Sequence, residues 1–133
     1  MRMIFVNLPV QDVDRARTFY AALGHSVHEG FSDERSAAIV VDESIVVVLH
    51  TPDRFADLVA GEVGDPARTT TAVHCLTAQS REEVDSTVAA ALDAGGRPWQ
   101  PVRQDGLRYT GSFTDPDGNA WQVMWMDQQH VVN

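Results

Sequence analysis

The sequence predicts an α+β fold made of two tandem βαβββ modules whose mixed sheets curl around a shared cavity. Three observations carry that expectation. Helix-cap signatures at Asp12 and Ser80 stand 80 − 12 = 68 positions apart, about half of the 133-residue chain. Each is preceded by one short apolar stretch and followed by three more. Glycine stops, Gly24 in the first half and Gly95-Gly96 in the second, end both helices. A unit of this length present twice reads as a duplicated half-domain, because a solenoid needs several copies.

In chain order, IFVNLPV (4–10) is a strand with Val6, Leu8 and Val10 on one face and Phe5, Asn7 and Pro9 on the other. Pro9 cannot donate to a ladder and marks an edge. A helix over about 13–22 follows Asp12, with Val13, Ala16, Phe19, Tyr20 and Leu23 at helical spacing. Strands are expected at HSVHEGF (25–31), SAAIVVD (36–42) and SIVVVLHT (44–51). Residues 52–68, with two Pro and two Gly, read as a linker holding one helical turn near Phe55–Val59. TTTAVHCLTA (69–78) restarts the pattern, and Ser80 with Glu83 caps a helix reaching about Ala94. RPWQPV, LRYTGSFT and NAWQVMWM complete the second set. The boundaries expected are module 1 at about 1–51, the linker, module 2 at about 69–127 and a tail at 128–133 that holds His130, all within one domain spanning 1–133.

Composition excludes several classes of function. At 44% hydrophobic and 22% charged residues, the chain can bury a core. A net charge of −9 argues against nucleic acid; it would attract cationic small molecules, but the favoured reading is that it only keeps the chain in solution. No apolar run approaches the roughly 18 residues of a membrane span, and Pro9 and Asp12 come too early for a signal peptide. A cytoplasmic location and no membrane partner are expected. Cys75 is the only cysteine, so there is neither an intrachain disulfide nor a cysteine-based zinc cluster.

Each helix covers one sheet face, and the other face must be buried elsewhere. Strand alternation assigns that second face to Phe5, Asn7, Val48 and His50 in the first module and to Val73, Cys75, Gln122 and Met124 in the second. Arg108 and Tyr109 alternate ahead of the DPDG turn, and Tyr109 is taken with the ligand-binding set. His74 has the opposite parity from Val73 and is expected among core residues. His50 is the one candidate general base, since its unperturbed pKa lies near neutrality. Trp99 offers a surface for stacking.

NLPVQDVDRARTFYAALG near the start and FTDPDGNAWQVMWMD near the end resemble the vicinal-oxygen-chelate superfamily. That group contains glyoxalase I, bleomycin-resistance proteins and extradiol dioxygenases, and the resemblance runs over essentially the whole chain. SREEVD, the Gly pair and the terminal WMD are most similar to a bacterial branch labelled glyoxalase-like or predicted lactoylglutathione lyase. The resemblance implies a homodimer and, in metal-using relatives, four ligands of His, Gln or Glu. Those positions fall here on Phe5, Val48, Val73 and Gln122. Three carry hydrocarbon side chains, so no metal and no other cofactor is expected. The function expected is metal-free binding of a small organic molecule, as in sequestration or drug resistance, with a cationic ligand such as a bleomycin-type drug. The alternative is a glyoxalase-like lyase or isomerase working through His50 and Gln122.

Overall fold

Asp12 starts the first helix by accepting the Arg15 N–H at 3.0 Å, which satisfies one of the donors a helix start leaves open. In the computed structural model, which describes residues 1–127, this helix α1 spans Val13–Ala22. Val13, Ala16, Phe19 and Tyr20 form its buried stripe, and Gly24, at φ +94°, turns the chain away. The described residues divide into two compact units, with the division between Thr69 and Thr70.

The first unit holds strands β1 (Ile4–Pro9), β2 (Ser26–His28), β3 (Ser36–Asp42) and β4 (Ile45–His50) in the order β1-β4-β3-β2. β1 runs parallel to β4, and the remaining pairs are antiparallel. Leu8, Ala37, Ile39, Val47 and Leu49 meet α1 on one face and are almost fully buried. β2 is shorter than its apolar stretch suggests, because Glu29–Phe31 turns into a 3-10 helix. Pro9 lies on the edge strand, where its missing N–H costs no ladder bond.

After β4 comes helix α2 (Pro52–Leu58), longer than the single turn expected. The signal is Thr51-Pro52-Asp53. Thr51 accepts the Arg54 N–H at 3.4 Å, Pro52 has a φ suited to the first helical position, and Asp53 sits in the first turn. Residues 59–72 carry neither helix nor strand.

The second unit repeats the order. β5 (Val73–Thr77) pairs in parallel with β9 (Ala120–Met126), β9 pairs with β8 (Arg108–Thr114), and both β6 (Arg97–Pro98) and β7 (Arg103–Asp105) pair with β8. Helix α3 (Arg81–Asp93) is capped by Ser80, which accepts the Glu83 N–H at 3.0 Å. The Glu83 carboxylate reaches back to the Gln79 N–H at 2.7 Å. α3 packs Val84 and Ala91 against the face that carries Phe113, Trp121 and Val123. Gly111 makes this approach possible. A Cβ there would lie 2.8 Å from Val88 Cγ2 and 3.0 Å from Val84 Cγ1.

One expectation is corrected. The sheets do not curl around a cavity; each is an open βαβββ-like layer whose outer strands among the described residues, β1 and β2 in one and β5, β6 and β7 in the other, pair on one edge only. Phe5 and Val73, expected on a cavity wall, are 55% and 38% exposed. Sequence alternation reports which side chains share a face, and it carries no information on whether a sheet bends.

The tail at 128–133, with His130, lies outside the described residues.

Candidate functional site

In the first unit, Phe5, Asn7, Val48 and His50 share the sheet face away from α1, since Asn7 pairs with Val48 and Pro9 with His50 in register. The Asn7 carbonyl Oδ1 is 2.8 Å from Nε2 of His50, and Ser36 Oγ is 2.7 Å from Nδ1. An amide oxygen only accepts, so Nε2 carries the proton. Nδ1 is then the acceptor for the Ser36 hydroxyl. The imidazole is 4% exposed, and the two contacts select one tautomer of its neutral form. Phe55 of α2 stands 6.2 Å from it, ring to ring. Burial lowers the His50 pKa below its ordinary 6.5; the Arg54 charge adds to this, and Asp33 opposes it.

This placement changes the meaning of His50. To take a substrate proton, Nδ1 would have to release the Ser36 hydroxyl. Both ring nitrogens here are held by protein groups. The Asn7 amide is the group that orients the imidazole.

In the second unit, Val73, Cys75, Gln122 and Met124 share the face away from α3, with Cys75 opposite Gln122 and Thr77 opposite Met124. Burial raises the Cys75 thiol pKa, which makes it a poorer nucleophile at neutral pH. His74 packs on the other face, 5.1 Å from the Trp121 ring, and burial lowers its pKa. Tyr109 also lies on the other face, away from Gln122. It sits opposite Trp125, its hydroxyl donates to Asp85 Oδ1 at 2.7 Å, and Arg81 lies over both rings at 5.4 and 5.3 Å.

A pocket of about 280 Å³ opens on the Gln122 face. It exists because the RPWQPV stretch does not form a continuous strand. Pro98 pairs with Phe113, and Arg103 with Thr110. Between those pairs, two residues of β8 (Gly111 and Ser112) face four of the neighbouring chain (Trp99 to Val102), so the chain bulges outward. Pro98 and Pro101 offer no N–H to close the ladder. A side chain takes over instead. Ser112 Oγ accepts the Gln100 N–H at 2.9 Å and donates to the Gln100 carbonyl at 3.0 Å.

Trp99 and Pro101 give the pocket apolar surface, and Arg103, Thr110 and Gln122 give it polar groups. The Arg103 guanidinium, the Trp99 indole N–H, the Thr110 hydroxyl and the Gln122 amide make no side-chain hydrogen bond or ion pair among the described residues. Trp99, Arg103 and Thr110 were not in the ligand-binding set drawn from the sequence. The P-W-Q-P spacing, two prolines bracketing an aromatic, was the signal that a strand breaks there.

The DPDG turn is held together by its first residue. Asp115 is fully buried, its Oδ1 accepting the Asp117 and Asn119 N–H groups at 2.9 Å and its Oδ2 accepting Asn119 Nδ2 at 2.9 Å. Gly118, at φ +100°, completes the reversal into β9.

The residues at the positions where the resemblance implies metal ligands do not fit a divalent ion. Phe5, Val48 and Val73 have no lone pair to give, and a single neutral amide, Gln122, does not complete a coordination sphere. Among the described residues, no group of three or more His, Cys, Asp or Glu is placed to hold a metal. No helix among them is long and apolar enough to cross a membrane.

A sequence profile of the Glyoxalase/Bleomycin resistance protein/Dioxygenase superfamily matches residues 2–123. No curated protein matches the sequence at a significant level. Solved structures share the fold at low identity. A hypothetical protein from S. aureus superposes with a TM-score of 0.79 at 23% identity, over 94% of each chain. A glyoxalase-related enzyme from Fulvimarina pelagi gives 0.80 at 17%, over 94% of this chain and 88% of that one. Lactoylglutathione lyase from Agrobacterium tumefaciens gives 0.68 at 18%, over 92% of each. At these identities the likeness is one of fold alone.

Proposed function

The chain belongs to the glyoxalase/bleomycin resistance protein/dioxygenase superfamily, and within it we propose a small-molecule binding protein that holds its ligand beside Trp99 and Gln122 without a resident metal. The observation that carries this reading is the bulge between β6 and β7. It creates a concave site with an indole wall and four polar groups that the protein leaves unengaged. Apolar surface with a few orienting polar groups is the make-up of small-molecule sites. At about 280 Å³ the pocket lies at the lower edge of the roughly 300–1,000 Å³ usual for them.

The enzymatic alternative, a glyoxalase-like lyase or isomerase, has less support. Both His50 ring nitrogens are already engaged, by Asn7 and Ser36, and the other residues at the inherited positions are hydrocarbons apart from Gln122. A homodimer in the cytoplasm goes with the binding reading. Ile4 and Phe5, more than half exposed along the outer strand β1, supply apolar surface that a second copy would cover.

A thermal-shift screen with a broad small-molecule set tests the proposal. Compounds that stabilise the chain, and lose their effect in Trp99→Ala, are expected. Stabilisers indifferent to Trp99→Ala, or none at all, would remove the pocket from the account. Metal analysis of freshly purified protein is the companion test: stoichiometric Zn, Ni, Fe or Mn would contradict the metal-free part.

A further inference from the structure

We propose that the pocket selects an organic anion, a flat molecule bearing a carboxylate that pairs with Arg103; the inference rests on the binding role proposed above. The net charge of −9 predicts the opposite preference, a cationic ligand. Local structure decides between the two. The field of distant surface charges fades within about 8 Å at physiological salt, whereas a group in contact with the ligand is hardly screened.

The contact groups are mostly donors. Arg103 contributes the fixed fork of N–H groups that matches a carboxylate two-to-two. The Trp99 indole donates only, the Thr110 hydroxyl donates or accepts, and the Gln122 amide offers two further N–H bonds and one acceptor. The one carboxylate near Arg103 in sequence, Asp105, pairs instead with Arg108 at 3.5 Å. Arg103 has no ion-pair partner among the described residues. The Ser112 hydroxyl, held at both ends by Gln100, is not available to a ligand. A cation would meet one positive charge and no negative one among the residues lining this pocket.

Register separates the charged end of the pocket from its amide end. Arg103 stands opposite Thr110 on β8, and Gln122 stands opposite Ser112, two residues further along the same strand. Strand spacing and rise then put the Arg103 and Gln122 backbones roughly 12 Å apart. A flat aromatic acid is the class of molecule that lies between them. Its carboxylate lies at Arg103, its rings against Trp99, and a hydroxyl or carbonyl at Gln122.

Isothermal titration of the full chain with three probes tests this: 6-hydroxy-2-naphthoate, its neutral carboxamide and the matching naphthylmethylammonium. The acid is expected to bind about tenfold more tightly than the amide and more tightly still than the amine. Arg103→Gln should abolish the preference for acid over amide, Arg103→Lys should retain part of it, and added salt should weaken the acid alone. Arg103 is exposed, so both variants are expected to melt like the parent. Equal binding of the three probes, or a preference for the amine, overturns the anion inference and leaves the pocket standing. Binding of none of the three, with screen hits that still depend on Trp99, also overturns the anion inference alone. Hits indifferent to Trp99 overturn the pocket itself.

Discussion

One hydroxyl, that of Ser112, holds both the N–H and the carbonyl of Gln100, at 2.9 and 3.0 Å. It replaces the backbone ladder at the point where two prolines interrupt the strand. The bulge that carries Trp99 is therefore tied down by a side chain, and that side chain can be removed without touching the rest of the sheet.

Ser112→Ala is expected to cost about 1–2 kcal/mol, because the Gln100 N–H loses its only partner of this kind in a half-closed site. The sharper readout is local. Amide exchange at Gln100 should accelerate strongly while β8 and β9 stay protected. Ligands found in the screen should bind several-fold more weakly. Unchanged exchange at Gln100 would show that the bulge is held by something else.

The neutral His50 makes stability depend on pH. Its folded pKa lies below the ordinary 6.5, chiefly because burial disfavours the charged form. As pH falls below about 6.5, the unfolded chain takes up a proton that the folded chain refuses, so stability is lost towards the folded pKa and is fully present above 6.5. His25 and His74 are shifted in the same direction by burial. Urea unfolding at about pH 7.5 and 5.5 should show lower stability at the acid value. In His50→Gln the difference should shrink without vanishing.

Gly111→Ala places a methyl carbon against two β-branched valines, at 2.8 and 3.0 Å. Neither valine can swing away cheaply, since its χ1 is restricted on a helix. A loss of about 1–3 kcal/mol is expected, read as a lower denaturation midpoint. Val88→Ala in the same chain should recover part of it, because that change removes the nearer methyl.

Tyr109 and Gln122 separate the two faces of the second sheet. Tyr109→Phe removes the bond to Asp85 on the α3 side and should lower the melting temperature slightly without changing ligand affinity. Gln122→Leu should do the reverse, weakening the ligand about five- to tenfold through loss of an orienting hydrogen bond while leaving the fold intact. Equal effects of both changes on affinity would mean that the pocket is misplaced.

Much of this arrangement could be read from the sequence, because caps and alternation are local. Asp12, Ser80 and the glycine stops fixed both long helices to within a residue or so. The alternation of WQVMWM sorted Trp121 and Val123 from Gln122 and Met124 as the register now shows. What escaped depends on partners distant in sequence. His50 looked available as a base until Asn7, 43 residues away, and Ser36, 14 away, were seen on its two nitrogens. RPWQPV looked like a strand because its apolar content outweighed its prolines. The openness of the sheets leaves no trace in any one strand.

The account turns on where a ligand sits. The most direct measurement follows the Trp99 indole N–H and the Gln122 side-chain amide by NMR while the strongest stabiliser from the screen is titrated into labelled protein. The account predicts that these two signals, with Arg103 and Thr110, shift together and saturate at one equivalent per chain. Shifts confined to Phe5, His28 and the first unit, with Trp99 and Gln122 unmoved at saturation, would contradict it.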